Sequence, residues 1–166
     1  LTQSGALSVG GVATIVAGGG NVTLGDASND FSTLIITSGN NVSVTDADAL
    51  ILGASTVSGT LDVTTSGALT QSGALTVVGV ATIEAGSGNN ITLSNAGNNF
   101  GTVVITSGND VALRDVNGLV FGASTVSGTL DVTVGGALTQ SGALAVTGVA
   151  TIVAGANDVT LDDVGN

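Results

Sequence analysis

The sequence predicts an all-β fold, and within that class a parallel β-solenoid, on three observations. One segment of about 69 residues recurs along the chain. Within this segment, apolar residues alternate with small or polar residues at a period of two, which is the pattern of a half-buried strand. Between the alternating stretches stand turn sequences such as Ser-Gly and Gly-Asn-Asn, and no stretch has the apolar spacing of a helix.

The recurrence is close to exact. The heptapeptide Leu1–Leu7 returns as Leu69–Leu75 and as Leu138–Leu144, and Gly53–Thr64 returns unchanged as Gly122–Thr133. Self-similarity at a fixed period is the signature of a repeat architecture. We therefore expect a single solenoid segment over residues 1–166, with units at approximately 1–68, 69–137 and, as a partial copy, 138–166.

The number of strands predicts how the chain winds. About nine short strands lie between Gly59 and Gly128. Nine strands in one repeat predict three coils of about 23 residues, each with three sides and a triangular cross-section. A sandwich or an up-and-down barrel is the alternative, but both need hairpin pairing and neither gives a reason for the long repeat. A one-residue length difference between Ala85 and Ile91 predicts a turn that tolerates insertion.

Composition excludes several classes of function. The chain has 12 Asp and Glu against one Lys or Arg, a net charge of −11, and neither His nor Cys. Nucleic-acid binding needs a basic surface, so we expect no nucleic-acid partner. Metal sites made of His or Cys, and catalysis through His, Cys or Lys, are excluded. No apolar run approaches the roughly 18 residues of a membrane helix, so we expect no membrane insertion.

Clustered aspartates are the candidate cation ligands, because calcium takes carboxylate oxygens. The local groupings are Asp26 with Asp30, Asp46 with Asp48, and Asp162 with Asp163. However, Asp26 aligns with Asn95 in the next repeat, and Asp48 aligns with Asn117. Exchange of Asp for Asn suits a turn and weakens a metal site. We expect solvated turns and no cofactor, with bound calcium as the alternative.

Two further sets of residues have ordinary surface interpretations. Asp62 and the only glutamate, Glu84, are the carboxylates for a carbohydrate-cleaving site, which needs such a pair. Glu84 and the only arginine, Arg114, each align with uncharged residues in another repeat, so we expect surface positions and no enzyme.

Outward threonines form two repeat-equivalent sets that are the candidates for an ice-binding surface, and we expect the members of each set to share a face. The sets are Thr23, Thr92, Thr160 and Thr14, Thr82, Thr151.

Three sequons fit N-glycosylation, beginning at Asn21, Asn41 and Asn90. Asn41 aligns with Asp110 in the next repeat, and Asn90 aligns with Asp158. A position that accepts either Asn or Asp is explained by turn chemistry, so glycosylation is the alternative here.

The stretches GALTQSGALTVVGVATIEAG and GASTVSGTLDVT resemble repeats of filamentous-haemagglutinin-like bacterial adhesins, including two-partner-secretion exoproteins. The resemblance covers the whole chain through composition, strand length and Gly-Thr-Ser-rich repeats. It implies a right-handed parallel β-helix, export from the cell, and a role in adhesion or in building a surface fibre. The family's secretion module carries Asn-Pro motifs, and this chain contains no Pro.

These observations predict a structural role. We expect an extracellular stalk or filament segment of a large secreted bacterial surface protein that supports adhesion or a biofilm matrix. The start Leu1-Thr2-Gln3 resembles the interior of a longer protein, and neither end resembles a polar cap. We therefore expect the same solenoid to continue or copies to stack end to end. The alternatives are a face that binds a host or matrix glycan or protein receptor, an ice-binding threonine surface, and a carbohydrate-active β-helix enzyme.

Overall fold

The computed structural model describes residues 1–166 and contains strands but no helix. The strands are β1 (Ser8–Val16), β2 (Val22–Leu24), β3 (Asp30–Ser38), β4 (Val42–Asp46), β5 (Leu50–Leu52), β6 (Ser55–Val57), β7 (Leu61–Thr65), β8 (Leu69–Gln71), β9 (Leu75–Glu84), β10 (Ile91–Leu93), β11 (Asn99–Ser107), β12 (Val111–Asp115), β13 (Leu119–Phe121), β14 (Ser124–Val126), β15 (Leu130–Val134), β16 (Leu138–Gln140), β17 (Leu144–Val146) and β18 (Ala150–Val153).

Apart from β6, β14 and β17, successive strands alternate between two large sheets. Sheet A contains β2, β4, β7, β9, β11, β13 and β16, with β6 added beside β9, and sheet B contains β1, β3, β5, β8, β10, β12, β15 and β18. Every strand pair is parallel. The chain therefore crosses to the opposite sheet and returns one rung higher. The predicted parallel β-solenoid is confirmed, and the sandwich and the up-and-down barrel are excluded.

Contacts between neighbouring rungs show how much chain each coil takes. Asn41 and Thr60, which meet across one coil, are 19 residues apart, whereas Leu75 and Asn98 are 23 residues apart. Sheet B has eight strands, which correspond to about seven coils. The coil length that we predicted is thus the upper end of the range. Coils with short turns, such as the turn between β4 and β5, are shorter.

Most coils take nearer 19 than 23 residues, so three coils do not complete one repeat of about 69 residues. The repeat spans about three and a half coils instead of the three that we predicted. Thr23 on β2 belongs to sheet A, while its repeat equivalent Thr92 on β10 belongs to sheet B. Equivalent residues of successive repeats therefore lie on opposite faces of the rod.

Short additional strands give some coils a third side. β6 follows a sheet B strand and precedes a sheet A strand, whereas β14 follows sheet A and precedes sheet B. The third side therefore lies on opposite edges of the rod in successive repeats, because one repeat spans about three and a half coils. The predicted three-sided outline holds for these coils, and the strand on the third side has three residues in each case.

Inward-facing residues form one continuous core. Thirty-four buried hydrophobic residues belong to a single cluster. On sheet A, for example, Val42, Leu61 and Ala81 lie on successive rungs. The largest side chains with almost no exposure include Phe31 and Phe100, which are repeat equivalents. Each rung covers the apolar side chains of its neighbours, so the rod is one cooperative stack.

The turn of variable length contains a glycine with positive φ in each repeat. It begins at Gly18, Gly86 and Gly155, the only residues with positive φ, at 57°, 83° and 60°. A glycine reaches this left-handed region without steric cost, which explains its recurrence. In the second repeat, Asn89 Nδ2 donates to the carbonyl oxygen of Ala85 at 2.7 Å and closes the turn.

Candidate functional surfaces

Asparagine side chains form a stack at the turns that precede β2, β4 and β7. Asn21 Oδ1 accepts hydrogen bonds from Asn40 Nδ2 at 3.1 Å and from the Asn41 backbone nitrogen at 3.2 Å, one coil above. Asn41 Oδ1 then accepts from the backbone nitrogen and the hydroxyl of Thr60, at 3.1 and 3.2 Å. Each of these turns is thereby tied to the next one along the rod.

The second repeat builds the same stack with a carboxylate in place of one amide. Asp110 Oδ1 accepts from the backbone nitrogen and the hydroxyl of Thr129, both at 2.9 Å. The backbone N–H of Thr129, and after it the hydroxyl, lowers the pKa of the Asp110 carboxyl below its ordinary value. Asn41 and Asp110 thus fill one role, that of an acceptor oxygen, which accounts for their exchange between repeats.

The three sequon asparagines lie on these turns and are exposed. Asn21 and Asn41 belong to the first stack, and Asn90 accepts from Asn109 Nδ2 and the Asp110 backbone nitrogen at 3.0 and 3.2 Å. A Cβ at Gly59 would collide with Asn41 Oδ1, so the stack also requires a glycine on the next coil. Glycosylation of the three asparagines stays a prediction.

Sequence reasoning missed a buried amide pair that joins coils once in each repeat. Asn98 is 0% exposed and exchanges two hydrogen bonds with Gln71, at 2.8 and 2.9 Å. Asn98 also accepts from the Leu75 backbone nitrogen and donates to the Leu93 carbonyl oxygen, both at 2.9 Å. Gln71 Nε2 donates to the Gly73 carbonyl oxygen at 2.6 Å. The pair therefore fastens three chain segments to one another.

The same pairs form between Gln3 and Asn29 and between Gln140 and Asn166. No buried side-chain nitrogen or oxygen lacks a hydrogen-bond partner, so this polar network is fully satisfied. The signal was present in the sequence, because both the glutamine and the asparagine recur in every repeat.

Two of the aspartates are buried beneath turns. Asp46, 1% exposed, accepts from the backbone nitrogens of Phe31 at 2.8 Å and of Asp48 at 3.2 Å. Its repeat equivalent Asp115, 2% exposed, accepts from Phe100 and Asn117 at 2.6 and 2.9 Å. Burial raises the pKa of both carboxyls, and the backbone hydrogen bonds oppose that rise. These carboxylates satisfy backbone donors in the turns.

The other calcium candidates are turn or surface residues. Asp26 accepts from the Ser28 backbone nitrogen at 3.0 Å, and Asp163 accepts from that of Gly165 at 2.8 Å. The remaining three are exposed: Asp30, Asp48 and Asp162. No group of three or more acidic side chains lies close enough to hold a metal ion.

The two carboxylates considered for catalysis share one face. Asp62 on β7 pairs with Thr82 on β9, and Glu84 lies two positions beyond Thr82 on the same strand. Both carboxylates are exposed on the outer side of sheet A. Arg114 is exposed on sheet B, beside Thr133 in register.

Our expectation that repeat-equivalent threonines share a face is wrong. Thr92 lies on sheet B, while Thr23 lies on sheet A; Thr160 donates its backbone N–H to the sheet A residue Leu138. In the second set, Thr82 lies on sheet A and the other two members on sheet B. The half-coil offset between repeats is the physical reason.

Concave surface is limited to the end of the rod and to shallow grooves. A cavity of about 500 Å³ lies at the first coil, with Leu7, Ile15 and Leu24 among its lining residues. A groove of about 180 Å³ runs over the first asparagine stack and the adjoining face of sheet A, where Asp62 joins its wall. The structure has no helix long and apolar enough to cross a membrane.

Comparison with known proteins identifies the chain as a repeat protein. No curated protein and no solved structure matches it. A family model matches three successive units, at residues 1–38, 39–107 and 108–166, which together cover the whole chain. The second and third units of the family model begin at Gly39 and Gly108. The repeat units that we predicted begin at other positions of the same period. The chain belongs to this family, which is described as repeats of unknown function (DUF5649).

Proposed function

We propose that the chain is a structural segment of an extracellular stalk or filament in a large secreted bacterial surface protein of the filamentous-haemagglutinin-like type. The observation that carries the proposal is the continuous stack: one core and two large parallel sheets run through all the repeats. Such a stack lengthens by about 17 Å for each repeat added, at three and a half rungs of ~4.8 Å. A longer chain therefore makes a longer rod of the same width.

The acidic surface supports this proposal. A net charge of −11 without lysine keeps a long rod soluble and repels it from anionic cell envelopes. The function needs no cofactor, nucleic acid or membrane insertion. It needs only stiffness and length.

The outermost coils offer a surface for end-to-end association of two copies. Ala13 and Ile15 in the first coil, and Ile152 and Leu161 in the last, are only partly buried against the core. β1 and β18 are the outermost strands of sheet B, so each has one unpaired edge. A second copy stacked end to end would cover these residues and edges.

Electron microscopy of the purified chain and of longer tandem repeats tests the proposal. We expect each individual rod, whether single or packed beside others, to lengthen by about 17 Å per repeat at constant width. Compact particles whose length does not follow the repeat number would contradict it. Antibody labelling of intact and permeabilised source cells tests the location, and labelling only after permeabilisation would contradict an extracellular role.

A ligand-binding face is the second candidate, and the shallow polar groove favours it. Its walls carry hydroxyl, amide and carboxylate groups from Thr23, Asn41, Ser43, Thr60 and Asp62. These groups suit a glycan or a protein receptor better than an apolar ligand. Glycan-array binding that Asp62→Asn abolishes would favour this candidate over a passive stalk, and a thermal-hysteresis assay addresses the ice-binding alternative.

We also propose that the chain is not an enzyme. Asp62 and Glu84 stand on an open sheet face, and the groove beside Asp62 does not include Glu84. Polysaccharide cleavage that is lost in Asp62→Asn and in Glu84→Gln would overturn this proposal.

A further inference from the structure

An unbroken outward ladder of β-branched residues runs over five successive rungs of sheet B. Its members, each paired in register with the next, are Val12, Thr33, Ile51, Thr70 and Thr92. Val12 is 60% exposed and Ile51 is 36% exposed, so the ladder faces solvent. We call this set the branched ladder.

Sheet A carries the repeat equivalent of the branched ladder, again on five successive rungs. Val80, Thr102, Val120 and Thr139 are paired in register, and Thr160 continues the row beside the isolated bridge between Leu138 and Val159. The two ladders lie on opposite faces because one repeat advances the chain by a half-integral number of coils. On either face, the ladder returns every two repeats, which is about seven rungs or roughly 34 Å.

The branched ladders are free of charge on a strongly acidic chain. All ten members are Val, Ile or Thr, whereas outward positions in other rows hold Asp62, Glu84 and Arg114. On sheet B the same row continues from Thr92 to Ala112 and then to Asp131, which ends the uncharged stretch. Two rods with a net charge of −11 per segment repel each other over most of their surface. The ladders are the strips along which repulsion between two such rods is smallest.

We propose that the branched ladder is a docking surface for a second copy of this chain, so that rods pack side by side. A second rod presents β-branched side chains at the same ~4.8 Å spacing, so the two ladders interdigitate over their full length, as stacked sheets do in dry zippers. An unrelated partner without this period would lose register within a few rungs. Because ladders occur on both faces, each rod has two neighbours, and packing extends into sheets or bundles.

The area of one ladder determines how many repeats a rod needs before two rods associate side by side. Five rungs cover about 24 Å by ~10 Å, or roughly 240 Å², against the ~800 Å² per partner of a stable interface. About four ladders on one face are needed, which takes about eight repeats. The 166-residue segment alone is therefore too short for lateral packing, which is a property of long arrays. This inference needs the rod but not its extracellular location.

The test compares three proteins made of eight tandem copies of residues 39–107. One has the parent sequence, the second carries Thr70→Asp in every copy, and the control carries Ala96→Asp in every copy. Thr70 is the ladder position and Ala96 is an exposed turn residue, so both variants add eight carboxylates. Outward strand positions already tolerate aspartate at Asp62, and circular dichroism verifies that each protein is folded.

Sedimentation velocity and electron microscopy then report association at about 0.15 M and 1 M NaCl. We expect the parent and the Ala96→Asp protein to form bundles, more strongly at high salt because repulsion is screened. Thr70→Asp should weaken association by about tenfold or more, since it places carboxylates in the contact. Single thin rods of the parent at both salt concentrations, or equal loss in both variants, would overturn the inference while leaving the stalk proposal intact.

Discussion

The middle coils and the terminal coils have nearly the same sequence but differ in burial. Ile83 in the middle is 0% exposed, whereas its repeat equivalents Ile15 and Ile152 are only partly buried. The difference arises because β1 and β18 have a neighbouring strand on one side only. Burial in this protein is therefore set by a residue's place in the stack, and identical substitutions should have unequal effects along the rod.

The largest expected difference is in the core. Ile83→Ala removes side-chain volume from a filled interior and should lower the free energy of unfolding by about 2–5 kcal/mol. Ile15→Ala and Ile152→Ala should each cost about 1 kcal/mol, because these sites already contact solvent. Urea unfolding measures all three, and equal losses would contradict the comparison.

Loss of an amide pair should also lower the free energy of unfolding more in the middle of the rod than at its end. Asn98→Ala leaves Gln71, the Leu75 N–H and the Leu93 carbonyl without their partner, which should cost about 3 kcal/mol. Its equivalent Asn166 is exposed, so Asn166→Ala should cost less than about 1 kcal/mol. Similar unfolding midpoints for the two variants would show that position along the rod does not matter to the pair.

At the exposed turn stacks we expect small effects. Asn41→Ala removes the acceptor for Thr60 and should cost about 1 kcal/mol or less. Asn41→Asp should be almost neutral, because Asp110 already makes the same contacts in the next repeat. Thermal unfolding separates the two, and an aspartate variant as unstable as the alanine variant would refute the shared role.

The buried and exposed carboxylates should respond oppositely to pH. Burial raises the folded-state pKa of Asp115 above 3.8, so its stabilising contribution is complete below pH 3.8 and is lost as the pH rises through the raised pKa. The pKa of Asp110 is lowered, so its contribution is present above pH 3.8 and is lost as the pH falls through the lowered value. Urea midpoints between about pH 2 and pH 7 should lose the first dependence in Asp115→Asn and the second in Asp110→Asn. Profiles identical to the parent would contradict both assignments.

The sequence was sufficient to predict the solenoid but not its winding. Alternation such as Leu61-Asp62-Val63 shows which side chains point inward, and the repeat shows that strands stack. Register between strands is not visible, because each apolar and polar alternation fits its neighbours at several offsets. The sequence alone therefore predicts three coils of equal length in each repeat. Short turns, such as the turn after β4, reduce the number of residues per coil, so one repeat spans half a coil more than predicted.

The turn chemistry was partly predictable. Exchange of Asn41 for Asp110 correctly indicated turns, and the structure shows the shared acceptor. The partner of Asn98 was not predictable from one repeat, because Gln71 lies 27 residues away and meets it only after the chain has wound past a full coil.

Intrachain disulfide formation between engineered cysteines tests the stacked, half-coil-offset winding most directly, since the chain has no cysteine of its own. Thr70 and Thr92 are register partners on adjacent rungs of sheet B, at a spacing of ~4.8 Å that a disulfide can bridge. Thr23 and Thr92 are repeat equivalents on opposite sheets. We expect the Thr70→Cys, Thr92→Cys protein to oxidise within one chain and the Thr23→Cys, Thr92→Cys protein to remain reduced as a monomer. An intrachain disulfide in the second protein, or none in the first, would contradict this winding.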